Sequence, residues 1–324
     1  MRLRSIGDTV LATPSLIALR RFLPDAQIDI LLEDWVAPVL DGFDAVDNVL
    51  TVSKEAKDRL KIARKIRRNK YDLAFNLHGG TTATFLIRAS GAPHRVGYSY
   101  YQYSFLYNHL LSSATDFWQQ EKTHSAEQQL ALVGFVGVPV EDKPKSRLFV
   151  TEKALNPIEN NLKSRIALLH PVAAFDTKQW ATENFALVAE FLHEKSFQIV
   201  AVATPKERKV LENLKQMAKV PILIFDDLTL PEITALASRA KIFVGNDSGI
   251  AHIAAAVQTP SVVIFGSSSR THWRPWTSAK HEIVYEKLPC QPCAGYVCKE
   301  FDQPKCILSV KVENVINAIE KVIT

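Results

Sequence analysis

The stretch Lys241-Ile242-Phe243-Val244-Gly245-Asn246-Asp247-Ser248-Gly249-Ile250-Ala251-His252-Ile253-Ala254-Ala255-Ala256-Val257-Gln258-Thr259-Pro260-Ser261-Val262-Val263-Ile264-Phe265 decides the fold. A β-rich apolar run at 241–244 meets a polar turn, 248–256 has helical composition, and 261–265 is a second apolar run. Strand, helix, strand in that order reads as parallel strands joined by a crossover helix. Outward from this unit the pattern repeats. Further β-rich runs at 28–32, 49–52, 71–76, 166–169, 198–203 and 222–225 alternate with helical stretches at 9–22, 54–69, 123–135, 183–194, 206–217, 230–237 and 310–323. The alternation lapses between 138 and 157, where Pro139, Pro144 and Pro157 fall among charges. The expected fold class is therefore α/β, with two doubly wound Rossmann-like domains, 1–150 and 151–324, facing across a cleft.

Composition agrees and excludes several classes. The 324 residues are 47% hydrophobic and 23% charged, the balance of a globular chain with a sizeable core. The longest stretch without Asp, Glu, Lys or Arg, 248–269, is broken by Gly249, His252, Gln258, Pro260 and Gly266, so no membrane span is expected. No signal-peptide pattern precedes Asp8, and the expected location is cytoplasmic. A formal net charge of +5 does not by itself imply a nucleic-acid partner. The positive charge is concentrated locally: nine of the seventeen residues 54–70 are Lys or Arg, with Leu60, Ile62, Ala63 and Ile66 interleaved at helical spacing. Such a helix is either a solvated face or a surface for an anionic partner, phosphorylated lipid or a membrane surface.

One element is short. A doubly wound domain opens with an apolar strand, yet only residues 1–4 precede the Gly7-Asp8 turn, which suggests either a reduced first strand or a start upstream of Met1.

Nucleotide fingerprints narrow the chemistry. No Gly-x-Gly and no Gly-x4-Gly-Lys-Ser/Thr occurs, so dinucleotide and P-loop readings lose support. Nor are two aspartates spaced Asp-x-Asp to hold a metal on a diphosphate. An anion must then be held by helix starts and cationic side chains. Asp247-Ser248-Gly249 supplies such a helix start, although either polar residue could simply cap the helix. In Phe175-Asp176-Thr177-Lys178-Gln179-Trp180, Lys178 could neutralise a leaving diphosphate or be a solvated loop lysine. Asp8, at or next to the N-cap of the helix holding Pro14, could act as a general base or only as a cap.

All four cysteines fall in Cys290-x2-Cys293-x4-Cys298-x7-Cys306. A structural zinc or iron site, reduced thiols that pack, and a redox dithiol are the three readings. Five of the eight tyrosines (98, 100, 101, 103, 107) lie with Phe105 in a loop-like stretch, where aromatic planes could bind a sugar or pack locally.

Three blocks carry a family resemblance: Arg4-Ser5-Ile6-Gly7-Asp8-Thr9-Val10-Leu11-Ala12-Thr13-Pro14, Lys178-Gln179-Trp180, and Gly245 to His252 followed by Thr259-Pro260 and Phe265-Gly266. Together they resemble the ADP-heptose:lipopolysaccharide heptosyltransferases, glycosyltransferase family 9. The resemblance implies a GT-B fold and an inverting, metal-independent transfer of heptose from an ADP-sugar to a lipopolysaccharide core. By position it implies Asp8 as base, Lys178 on the phosphates, Glu207 on the ribose, and Asp247, Ser248, Gly249 and His252 on the diphosphate and sugar. Arg4, Tyr98 and Tyr101 are the acceptor-side candidates, and the last helix, 310–323, is expected to return to the first domain. The four-cysteine segment resembles one in a subset of these enzymes and suggests a folded staple. Partners so implied are the donor, the acceptor and the inner membrane surface, with no cofactor required for catalysis. The chain departs from the family in Ala173 and Ala174 before the lysine, in Ala181 after the Trp, and in its short first strand. A nucleotide-sugar epimerase or hydrolase, or a non-catalytic nucleotide-sugar binder, is the competing reading.

Overall fold

Residues 1–3 carry the join of the first sheet. In the computed structural model, which describes residues 1–159, 162, 164–293 and 296–324, this extended segment hydrogen-bonds on both sides. The Arg2 and Glu33 amides donate to Leu31 and Leu3 carbonyls (3.1 and 2.7 Å), and the Leu77 amide and Met1 nitrogen pair with Met1 and Phe75 carbonyls (2.9 and 2.7 Å). Residues 1–3 thus form a short stub paired on both sides.

Around it lie α1 (Ile6–Val10), α2 (Thr13–Phe22), β1 (Asp29–Glu33), β2 (Asn48–Val52), α3 (Ala56–Arg68), β3 (Leu73–Phe75), α4 (Thr81–Ser90), β4 (His94–Tyr98), β5 (His109–Leu111), α5 (Ala114–Trp118) and α6 (Ser125–Gly134). β1 pairs with β2 in parallel, and β3, β4 and β5 form a parallel set. With the stub between β1 and β3, the spatial order is β2-β1-stub-β3-β4-β5. Counting the stub as the first strand, that is 3-2-1-4-5-6, a doubly wound order with its switch point between stub and β3.

The second unit repeats this order with full strands. Its elements are α7 (Glu152–Glu159), β6 (Ile166–His170), α8 (Thr182–Glu194), β7 (Gln198–Val202), α9 (Arg208–Met217), β8 (Ile222–Phe225), α10 (Leu230–Arg239), β9 (Ala240–Asn246), α11 (Gly249–Ala256), β10 (Ser261–Phe265), α12 (Arg270–Trp273), β11 (His281–Tyr285), α13 (Lys305–Leu308) and α14 (Val312–Ile323). The all-parallel sheet runs β11-β10-β9-β6-β7-β8, so the switch point falls between β6 and β9. β6 and β10 are buried along their whole length, as continuous apolar runs covered on both faces must be. The chain separates into the compact units Met1–Leu148 and Phe149–Thr324.

Several expectations are corrected. The helix expected over 9–22 is two helices, because Pro14 suits the first turn of α2 and would lose its hydrogen bond inside a longer helix. The aromatic stretch expected as a loop begins on β4, which, like β5 and β11, lacks a long β-branched run. The C-terminal helix α14 has its apolar face in the second unit. Val315, Ala318, Ile319 and Val322, at helical spacing, belong to the second unit's own core with Ile242, Val262 and Ile264. Among the described residues no helix is long and apolar enough to cross a membrane.

Candidate active site

Each unit brings its polar candidates to the carboxyl ends of the strands beside its switch point, where ligands of doubly wound sheets bind. In the first unit the stub leads into α1. Ser5 is the N-cap and Asp8 the third helical residue, in a capping box: the Ser5 hydroxyl and amide both donate to Asp8 Oδ2 (2.9 and 3.4 Å). Asp8 is therefore a box partner rather than the cap residue. Its other oxygen, Oδ1, pairs with the Arg2 guanidinium, which also donates to the Leu77 carbonyl (2.5 Å). Arg2 was not singled out in the sequence. The signal was available, since alternate residues of an extended segment share a face, which places Arg2 with Arg4. Arg4 is exposed.

Across the switch point, β3 ends in Asn76-Leu77-His78-Gly79-Gly80. Buried Asn76 shapes this turn: its Oδ1 accepts from the His78 and Gly79 amides (both 2.9 Å), and its Nδ2 donates to the Tyr107 hydroxyl (2.6 Å). Gly79 has φ +80°, and a Cβ there would lie 2.8 Å from the Tyr101 ring. Burial and the nearby Arg2 push His78 down to about 4, so the imidazole is neutral at physiological pH. His78 also escaped the sequence reading.

The two acceptor-side tyrosines separate. Tyr101 is half-buried, donates to the Asn76 carbonyl (3.3 Å) and is electrostatically coupled to Arg2, which places it at the switch-point turn. Tyr98 is corrected: it is 1% exposed, packs in the core with Val96, Leu111 and Leu132, and donates to the Gln128 carbonyl (2.6 Å). Its ring and hydroxyl are both committed to folding. A cavity of about 410 Å³, lined by Leu16, Leu19, Ile30 and Phe75, lies toward the amino ends of β1 and β3, away from Asp8.

In the second unit β6 leads to Lys178 and β9 to Asp247. The Lys178 ammonium donates to Asp247 Oδ2 (2.8 Å), and the Asp247 side chain is 5% exposed. The loop bearing Lys178 is held from several sides. The Trp180 amide donates to Asn246 Oδ1 (3.1 Å), and the fully buried Trp180 indole donates to the Val310 carbonyl (2.9 Å). The Ser267 amide and hydroxyl bond to Thr177 (3.1 and 2.9 Å). Gly266 makes this approach possible, because a Cβ there would stand 2.1 Å from the Thr177 carbonyl oxygen.

Ser248 caps α11 in extended conformation, its buried hydroxyl without a hydrogen-bond partner among the described residues, and Gly249 begins the helix. Unmatched amides of that first turn, with the positive end of the helix dipole, suit an anion. His252 is buried within α11. Glu207 follows β7, the neighbour of β6, and accepts from the Thr204 amide and hydroxyl (3.1 and 2.6 Å) through Oε2. Buried His170, at the end of β6, is lowered by desolvation and bonds through Nδ1 to the Val202 carbonyl (3.0 Å).

The metal reading of the four-cysteine segment gains no support. Among the described residues no group of three or more His, Cys, Asp or Glu could hold a metal, and all four thiols are free. The segment instead braces the lysine loop: the Cys293 amide donates to the Ser267 carbonyl (3.0 Å), and buried Cys306 places its Sγ 4.0 Å from the Thr177 carbonyl. Burial, with the neighbouring Cys293, Cys290 and Cys298, raises the Cys306 thiol above its ordinary value.

Comparison with known proteins places this arrangement. Residues 59–302 match the model for glycosyltransferase family 9 (heptosyltransferase). Lipopolysaccharide heptosyltransferase 3 of Escherichia coli strain K12 is 28% identical, over 99% of this chain and 96% of that protein. The structure of Escherichia coli ADP-heptose lps heptosyltransferase II superposes with a TM-score of 0.82 at 20% identity, covering 100% and 98% of the two chains. Escherichia coli heptosyltransferase WaaC with ADP gives 0.74 at 17% identity, covering 99% and 98%. The fold is thus the GT-B type of these enzymes, and the chain belongs to glycosyltransferase family 9, the heptosyltransferases.

Proposed function

We propose that the protein transfers a heptose or a related sugar from an ADP-sugar to a lipopolysaccharide core acceptor. The observation that carries this reading is the pairing of Lys178 with Asp247 beside the start of α11, at the switch point where a nucleotide sugar would bind. Membership of the family and the relatives' names support heptose as the sugar. The solved relative with ADP supports adenine as the base.

The donor diphosphate sits between Lys178 and the first turn of α11, where Ser248 Oγ and the Gly249 amide donate. Asp247 positions Lys178 and does not itself touch phosphate, since two anions at that distance would repel. Glu207 offers its free edge to the ribose hydroxyls. On the acceptor side Arg2 and Ser5 orient the Asp8 carboxylate. An acceptor hydroxyl gives its proton to Asp8 as its oxygen bonds to the anomeric carbon, and the bond from that carbon to the diphosphate oxygen breaks, inverting the configuration. Lys178 and the helix start take up the charge developing on ADP, without a metal ion in that role. The site of action is the cytoplasm.

Calorimetric titration with ADP, UDP and NAD in metal-free buffer tests this. Selective ADP binding, followed by transfer from ADP-heptose to a heptose-deficient core, is the expected result. Preference for UDP, or release of free sugar without an acceptor, would move the assignment to an epimerase or hydrolase.

A further inference from the structure

We propose that Trp35 and Glu33, at the carboxyl end of β1, form the subsite for an uncharged sugar ring of the acceptor, adjoining the hydroxyl that Asp8 deprotonates; the proposal rests on the transferase reading above. The tryptophan comes first. Of the five tryptophans, all within the described residues, Trp35 alone is exposed, at 48%. A ring of this size is ordinarily mostly buried. The ring is held in its exposed position from several sides. Glu33 ends β1, the Asp34 amide donates to the Val52 carbonyl (3.2 Å), the Trp35 amide donates to Asp34 Oδ1 (2.8 Å), and the Val36 amide closes the turn on the Glu33 carbonyl (3.1 Å). Fully buried Val36 anchors the far side. The indole N–H, the ring's one polar group, donates to Glu33 Oε2 (2.7 Å), so the part left in water is apolar. A fixed aromatic ring with an open apolar face is suited to pack against the C–H face of a sugar.

Glu33 supplies the polar half of the subsite. It is buried, yet among the described residues it is in no ion pair, and only its Oε2 is engaged, by the indole. A buried carboxylate without a cation is costly unless hydrogen-bond donors reach it, and Oε1 is left to accept one. A carboxylate accepts and cannot donate, so it takes a sugar hydroxyl and repels a phosphoryl or carboxylate group at the same place. The location suits the acceptor. β1 lies beside the stub that leads into α1, and the 3₁₀ turn Ala37–Leu40, one residue beyond Trp35, packs against α1. His78 is electrostatically coupled to Glu33 as it is to Asp8 and Arg2. Trp35, Glu33, His78 and Asp8 therefore border the same end of the first sheet. The Arg2 guanidinium is shared between Asp8 and the Leu77 carbonyl, which leaves the charge of Glu33 unpaired.

The test is equilibrium dialysis with the whole protein saturated with ADP, so that acceptor binding is read without transfer. The probes are a lipid-free core oligosaccharide ending in heptose and the same oligosaccharide phosphorylated on that heptose. Native protein should bind the unphosphorylated probe about tenfold more tightly than the phosphorylated one. Trp35→Ala should lower affinity for the unphosphorylated probe about tenfold, and Trp35→Phe should restore most of it. Glu33→Gln, whose amide oxygen still accepts from the indole, should bind the two probes alike, a change in preference that a merely structural role would not produce. ADP affinity and cooperative thermal unfolding should stay native in all three variants. Trp35→Ala binding the unphosphorylated probe like the native protein, or Glu33→Gln keeping the native preference, would overturn the subsite and leave the transferase reading in place. Native protein that binds ADP and neither probe would overturn both. A concentration-dependent self-association, seen by ultracentrifugation, that Trp35→Ala abolishes without altering probe binding would also overturn the subsite and assign the ring to a contact between copies.

Discussion

The ammonium of Lys178 and the carboxylate of Asp247, 69 positions apart in sequence, meet at 2.8 Å beside the first turn of α11, and the carboxylate side is almost fully buried. A charge pair with one buried member behaves asymmetrically: breaking it costs more than removing it. Lys178→Ala leaves Asp247 uncompensated and should destabilise the protein by about 2 kcal/mol, a fall of several degrees in Tm. Lys178→Ala combined with Asp247→Ala should recover most of that Tm while ADP binding stays weak in calorimetry. Equal Tm values for the single and double variants would show that the pair is not energetically coupled.

Asp8→Asn keeps the size of the side chain and much of its hydrogen bonding to Ser5 but cannot accept a proton. Donor binding should be unchanged and turnover should fall about a thousandfold. Transfer at the native rate would remove Asp8 from the role of base.

Gly266→Ala tests whether the lysine loop is held where catalysis needs it. The new methyl would stand 2.1 Å from the Thr177 carbonyl oxygen, a backbone atom that cannot rotate away, so the loop must move. A loss of about 1–3 kcal/mol in stability together with weakened ADP binding is expected. Native Tm and native affinity would mean that the approach of Thr177 to Gly266 is dispensable.

His78 gives a pH dependence with a definite sign. Its folded value of about 4 lies below the ordinary histidine value, so the unfolded chain takes up the proton first as pH falls. This residue's contribution to stability is fully present above about pH 6.5 and is lost on descending toward about pH 4. Tm measured between these limits should fall less steeply for His78→Gln than for the native protein. Buried His170 has the same sign but is present in both, so it cancels in the comparison. Parallel curves would contradict the assignment.

The sequence by itself determined the α/β alternation, because a parallel sheet covered on both faces needs continuous apolar runs such as Ser261–Phe265, and these stand out in composition. It also located the Asp8, Lys178 and Asp247 turns, since a helix start after a strand is a local pattern of glycine, capping residue and apolar period. Short or polar strands were not legible: His94–Tyr98 and His281–Tyr285 become strands through neighbours supplied by distant segments. Residues 1–3 are a strand only because Leu31 and Phe75 flank them, and Arg2 meets Asp8 for the same reason. Tyr98 and Tyr101 look alike in sequence, yet one faces the core and the other the switch-point turn, a choice made by the sheet. The cysteines, close in sequence, are not gathered as a metal centre among the described residues and instead brace the Thr177 loop. Local propensity is written in neighbouring residues, whereas burial, charge pairing and the aim of a side chain depend on which distant segments arrive beside it, and those only the tertiary structure decided.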